Sequence, residues 1–199
     1  YDEVLFVNAS LGGIDNEFIQ ERVWHIPVLL MTYIGALKSW LHAPVFAVFG
    51  VSPASIRMPS VIISAGTIYL LSRLGELLFG RKAGLLLTAV IASDPVFIIA
   101  SRFDQGPAVL MSFFKAAALL LLFRWLLEPS AVKLWMLVSV LSLGFFDKFN
   151  FIWFVLALTL ATAVVYRREV ISHLVHGGPA SIAPVLAGAA LLAFVGLKV

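Results

Sequence analysis

Beyond residue 56 the chain is a succession of apolar runs separated by short polar breaks. Met58 to Leu78, Ala83 to Ser101, Pro107 to Leu127, Leu134 to Phe146 with its flanks, and Phe149 to Tyr166 form five such runs. A sixth, Ile182 to Leu197, ends two residues before the last residue of the chain. About 20 apolar residues of helix cross the roughly 30 Å of bilayer hydrocarbon. The pattern therefore predicts five membrane-spanning helices and a sixth that is cut short.

Residues 1–56 follow a different pattern, mixed in polarity and carrying Asp15, Glu17, Glu21, Arg22, His25, Lys38 and His42. They predict no spanning helix. From Tyr33 to Phe49 apolar residues alternate with Lys38, His42 and Pro44, which suits one or two amphipathic helices lying in the membrane interface. Trp24, Tyr33 and Trp40 fit that level, because aromatic rings prefer the headgroup region. Gly12-Gly13 and Gly50-Val51-Ser52-Pro53 read as breaks, the second leading through Ser52 or Ser55 into the next helix. The expected organisation is an outer segment over residues 1–56 and a helical bundle over 57–199. The fold class is all-α, a polytopic transmembrane bundle with amphipathic juxtamembrane helices in its first outer loop.

Composition strengthens this reading: 61% of the residues are hydrophobic and 13% are charged, against about 25% charged in a soluble domain. The formal charge of +3 does not indicate a nucleic-acid partner, because the basic residues punctuate the apolar runs instead of clustering. Cysteine is absent, which excludes a disulfide framework, a thiolate nucleophile and a cysteine-based metal site. The chain opens on Tyr1 without a basic or signal-like stretch, so it is expected to be a fragment of a longer protein.

The distribution of Lys and Arg sets the orientation, because basic loops stay on the cytoplasmic side. Loops with Arg73, Arg81, Lys82, Arg124, Lys133, Arg167 and Arg168 alternate with loops holding Arg102 and Lys148, seven basic residues against two. The expected outer face then collects Asp2, Glu3, Asp104, Asp147 and Lys148. Two charges fall within the spans, Asp94 before Pro95 and Lys115. Both lie about 10–12 Å below the outer ends of their helices, from a rise of about 1.5 Å per residue, and an ion pair between adjacent helices is expected. The histidines form no ligand set: His173 and His176 fall on a cytoplasmic loop, and His25 and His42 are isolated. Nothing in the sequence favours a metal or another cofactor.

Several short motifs agree in order and spacing with a known family. They are Phe49-Gly50-Val51-Ser52-Pro53-Ala54-Ser55-Ile56-Arg57-Met58-Pro59-Ser60, Leu78-Phe79-Gly80-Arg81-Lys82-Ala83-Gly84, Pro95-Val96-Phe97, and then Asp104. In these the chain resembles the dolichyl-phosphate-mannose protein mannosyltransferase and lipid A aminoarabinose transferase group, polytopic glycosyltransferases of the C superfamily. The resemblance runs from Tyr1 to about residue 160, with the Asp2-Glu3 pair opening the first outer loop and Lys148 near the lysine that often follows the fifth span. It departs from the pattern where Tyr33-Ile34-Gly35-Ala36-Leu37-Lys38 replaces the Lys-Pro-Pro stretch of many relatives, and where Gln105-Gly106-Pro107 follows Asp104.

The resemblance implies inverting transfer of a sugar from a polyprenyl-phosphate carrier to a protein, lipid or glycan acceptor. The site would face the outer side of the membrane, for a bacterial cell-envelope enzyme the periplasmic side of the inner membrane. By similarity Asp2 is the base, Glu3 its support, and Asp104 the acidic residue of the second outer loop. Lys38, Arg57, Arg102 and Lys148 are then the cations expected to hold the donor phosphate, since a leaving lipid phosphate needs fixed positive charge. No phosphate-cradling Gly-rich loop for a nucleotide sugar is visible, which favours a lipid-borne donor. The rival reading is a transporter or flippase-like protein that uses Asp94 and Lys115 as buried coupling charges, although no internal repeat supports it.

Overall fold

A computed structural model describes the backbone of residues 2–12, 19–24, 26–31, 33–102, 107–176 and 178–196, and their side chains except at 2–4, 19–22, 179 and 191–196. The chain is an all-α bundle with a small antiparallel sheet near its start. Helix α1 (Asp2–Ser10) comes first, followed by strands β1 (Ile19–Val23), β2 (Ile26–Leu30) and β3 (Ile34–Gly35), which pair in sequence order. Helix α2 (Leu37–Phe49) forms where a helix is expected, but its polar residues Lys38, Ser39 and His42 are buried while Leu41, Val48 and Phe49 are exposed. The sheet was not foreseen. Its longer strands, Ile19-Gln20-Glu21-Arg22-Val23 and Ile26-Pro27-Val28-Leu29-Leu30, do not alternate apolar and polar residues, and the pairing is completed from outside the segment: Ile34 bridges to Lys148, and the Phe149 N–H donates to the Tyr33 carbonyl at 3.1 Å.

The N-terminal segment has its own apolar core, in which Leu5, Phe6 and Ala9 of α1 meet Leu30, Ile34 and Ala36. The Trp40 indole N–H donates to the Pro27 carbonyl at 2.8 Å, and the ring lies 5.4 Å from that of Phe146. One side chain thus ties α2 to the sheet and to the bundle.

The bundle begins five residues ahead of the expected span. Ser52 caps α3 (Pro53–Phe79) in a reciprocal pairing with Ser55, and Pro53 occupies the first turn, where no donor is lost. Gly80, at φ +87°, turns the chain into α4 (Arg81–Ser93). A Cβ at Gly84 would lie 2.7 Å from the Ser72 carbonyl, so the two helices can approach this closely only around glycine. The second expected span is broken, with α4 and α5 (Pro95–Arg102) meeting at 63°. Pro95 disfavours helical geometry at Asp94, whose carboxylate instead accepts the Val96 N–H at 2.8 Å.

Helix α6 (Ala108–Leu127) is apolar on every face apart from Lys115 and Arg124 and runs through the middle of the bundle, between α3 and α7 (Ala131–Asp147). A short 3-10 turn (Phe149–Phe151) leads into α8 (Ile152–Val165). A Cβ at Gly144 would lie 2.6 Å from the ring of Phe151, so the glycine gives that buried ring its place. The basic helix α9 (Arg167–His176) leaves the preceding segment at 93°, and α10 (Pro179–Gly196) returns against α7. Helices α3 and α6 are each long and apolar enough to cross a bilayer, and each bent pair makes one further candidate span. The 17 residues of α7 extend over about 26 Å.

Candidate functional site

Four residues of α2 point inward: Lys38, Ser39, His42 and Phe46 are all buried. The spacing of Lys38, His42 and Phe46 puts them on one helical face, which the sequence pattern shows only as polar breaks in an apolar stretch. Lys38 is 3% exposed, with its Nζ 4.2 Å from the centroid of the Phe6 ring. The ring face attracts the ammonium while α1 shields it from water. The Ser39 hydroxyl donates to the Phe6 carbonyl at 3.3 Å and fixes the two helices at this point.

Across from α2, the end of α7 is clamped to the sheet. Gly35 makes the clamp possible, because a Cβ there would lie 2.0 Å from the Phe146 carbonyl oxygen. Asp147 is the next residue. Asp147 is expected on the outer face, and the bridge between Lys148 and Ile34 puts it, as the last residue of α7, in the layer of the sheet. The sequence predicts a surface carboxylate here, but Asp147 is completely buried. Neither of its oxygens has a hydrogen-bond partner. Burial pushes its carboxyl up to about 7, against the opposing pull of Lys38 and then Lys148.

His42 connects this cluster to α3. Its Nδ1 lies 2.8 Å from the Lys38 carbonyl and its Nε2 lies 3.1 Å from the Ile56 carbonyl. Carbonyl oxygens only accept, so a neutral ring donates to one of them and a protonated ring to both. Ile56 precedes Arg57. Arg57 and Arg102 together line a pocket of about 330 Å³ between the start of α3 and the end of α5, with Val61, Ile98 and Ile99 as its apolar wall. An apolar groove of about 470 Å³ lies on the other side of α2, lined by Leu37, Leu41 and Val45 with Ile62, Leu110 and Leu143 among the facing residues.

Residues 35–194 match the family described as dolichyl-phosphate-mannose-protein mannosyltransferase. The chain belongs to this family. No curated protein and no solved structure matches it. As a member of the mannosyltransferase family with apolar helices of spanning length, it is an integral membrane protein and a glycosyltransferase.

The expected site residues of this mannosyltransferase-family chain fall into three groups. Lys38 and Lys148 both act on the buried Asp147, and Arg57 and Arg102 share one pocket. The backbone of Asp2 and Glu3 opens α1, the helix that carries Phe6, but their side chains lie outside the described set, as does all of Asp104. The expected Asp94–Lys115 pair is corrected. Asp94 is exposed at the α4–α5 break, bonded to its own helix, while Lys115 Nζ lies 6.0 Å from the centroid of the Phe154 ring. The bend at Pro95 and the local cap together separate the two, and with them goes the buried pair on which the transporter reading depended. Sequence reasoning also missed Asp147 as a buried group and His42 as a connector. The legible signals were an acid closing an apolar helix and a histidine one helical turn after Lys38.

Proposed function

We propose that the protein transfers a sugar from a polyprenyl-phosphate donor to an acceptor hydroxyl or amine, with inversion, on the outer face of a bacterial inner membrane. The observation that carries this reading is the grouping of four cations into two sets, Lys38 with Lys148 and Arg57 with Arg102, connected through His42. In the proposed step the acceptor attacks the anomeric carbon, the bond from that carbon to the phosphate oxygen breaks, and the acceptor proton passes to Asp2. Glu3 supports Asp2, and Asp104 orients the donor from the second outer loop. Negative charge grows on the departing lipid phosphate, and fixed cations in a site shielded from water stabilise it far better than mobile counter-ions do. The arginines offer two-pronged contacts and the lysines point charges. The apolar groove on the opposite side of α2 from Lys38 suits the isoprene units of the carrier, since it is lined by α2 as well as by the bundle.

The test is native mass spectrometry of the full-length protein released from its own membranes, together with transfer assays. Asp2→Asn is expected to retain a co-purified polyprenyl phosphate or its sugar derivative while transfer falls by about 10²- to 10⁴-fold, the usual contribution of a general base. Asp104→Asn is expected to lower transfer as well. Co-purification of bulk phospholipid alone, with unchanged transfer in both variants, would overturn the proposal.

A further inference from the structure

Asp147 has no part in the mechanism above, yet among the described residues it is the one whose buried side-chain polar atoms lack any hydrogen-bond partner. It is fully buried, and neither carboxylate oxygen accepts a hydrogen bond. Buried acceptors are almost always partnered, and an unpartnered one calls for an explanation. Asp94 shows how this chain treats a carboxylate with a local structural role, by giving it a backbone N–H at 2.8 Å. Asp147 receives no such donor. Its two neighbouring cations act on it through space, and Lys38 directs its ammonium onto the Phe6 ring. These are the two lysines read above as partners of the donor phosphate.

We propose that Asp147 is a further residue of the donor site, a buried counter-charge that shares Lys38 and Lys148 with the donor phosphate and takes one proton from solvent when that phosphate arrives. The inference rests on the donor reading of those lysines. A phosphodiester held by Lys38 and Lys148 adds negative charge beside the carboxylate on which both lysines act, in a region where water does not screen the repulsion. No hydrogen bond holds the carboxylate in its ionised form, so protonation relieves the repulsion without breaking a contact. Burial already places the carboxyl close to neutrality, which keeps that proton within reach at ordinary pH. The titratable and charged groups on the elements packed around it are Lys38 and His42 of α2, Tyr33 beside β3, Lys148 after α7, Lys115 and Arg124 of α6, and Lys133 at the far start of α7, of which Lys38 and Lys148 act on it. Asp2 and Glu3 belong to α1, with side chains outside the described set. Asp147 is thus a positioning residue, acting on the phosphate through the two lysines.

The probe is a polyprenyl methyl phosphodiester, which keeps a single charge across the working pH range, titrated into the full-length protein in detergent. Wild-type affinity is expected to fall about tenfold between pH 6 and 8.5, the behaviour of binding linked to one proton. Asp147→Asn is expected to bind with no pH slope and more tightly than wild type at pH 8.5. Asp147→Ser serves as a second neutral variant should the amide prevent folding. A wild type without slope, or neutral variants that keep the slope or bind more weakly at pH 8.5, would overturn the inference alone, because binding itself upholds the donor reading. Absence of binding in every protein would overturn the donor reading and this inference with it.

Discussion

The two ends of α7 treat charge in opposite ways. At its start, Lys133 meets Glu128 at 2.9 Å and also donates to the Glu128 carbonyl, with the glutamate fully exposed. At its end, Asp147 is buried without a hydrogen bond, between two lysines that act only through space. The first arrangement has every contact satisfied and is worth little, because water and salt do the same work. The second is costly in the folded state, and a carboxylate that served stability alone would have been given donors. Complete geometry at one end and an open electrostatic balance at the other separate a surface anchor from a working site.

The largest effect should come from attaching a methyl group where the two layers meet. In Gly35→Ala the new Cβ lies 2.0 Å from a backbone oxygen, so no rotamer change relieves it. We expect a loss of about 3 kcal/mol or more, at the upper end of overpacking costs, and loss of transfer as α7 separates from the sheet. Thermal unfolding in detergent, with limited proteolysis of the N-terminal segment, checks this. Unchanged unfolding would show that the clamp does not hold the two layers together.

Asp147→Asn should act in the opposite direction and depend on pH. The folded-state carboxyl titrates near 7, above its ordinary value of 3.8. The unfolded chain therefore binds fewer protons between these values, and Asp147 costs stability progressively as pH rises through that window, with the cost levelling off above about 7. The amide removes this cost but remains a buried polar group without partners, which offsets part of the gain. A net stabilisation of about 1–2 kcal/mol at pH 8, shrinking towards zero or reversing near pH 5, is expected in pH-dependent melts. A variant less stable than wild type at pH 8 would mean that the carboxylate makes a favourable contact in the folded protein.

Glu128→Gln should give the smallest effect. The hydrogen bond and charge of Lys133 hold the Glu128 carboxyl below its ordinary range, so its contribution is present above that range and lost as pH falls through the lowered value. Full exposure leaves that contribution to screening. We expect no measurable change in unfolding temperature at physiological salt, and a drop large enough to measure there would remove the contrast between the two ends of α7.

Much of the bundle was legible because a bilayer sets a length and a polarity that apolar runs must meet. The runs at 58–78 and 107–127 became α3 and α6, and Ser52-Pro53 announced the start of α3 through local capping chemistry. The bend at Asp94-Pro95 is also written locally, in a proline within an apolar run, and it removes the expected Asp94–Lys115 pair. The small sheet was not legible, since the end of α7 completes its pairing more than a hundred residues later along the chain.

By itself the sequence determined what local rules and the bilayer control: helices, caps, the breaks between them, and the acids and cations that a sugar-phosphate chemistry would need. The tertiary structure alone decided which of those charges are neighbours. Lys38 and His42 share one face of α2 but stand more than a hundred residues from Asp147 along the chain, and nothing in their spacing distinguishes a solvated charge from a buried one. Burial is created where α1, α2, the sheet and the end of α7 close on one another. That closure turns an ordinary Asp-Lys dipeptide into a carboxyl poised near neutrality.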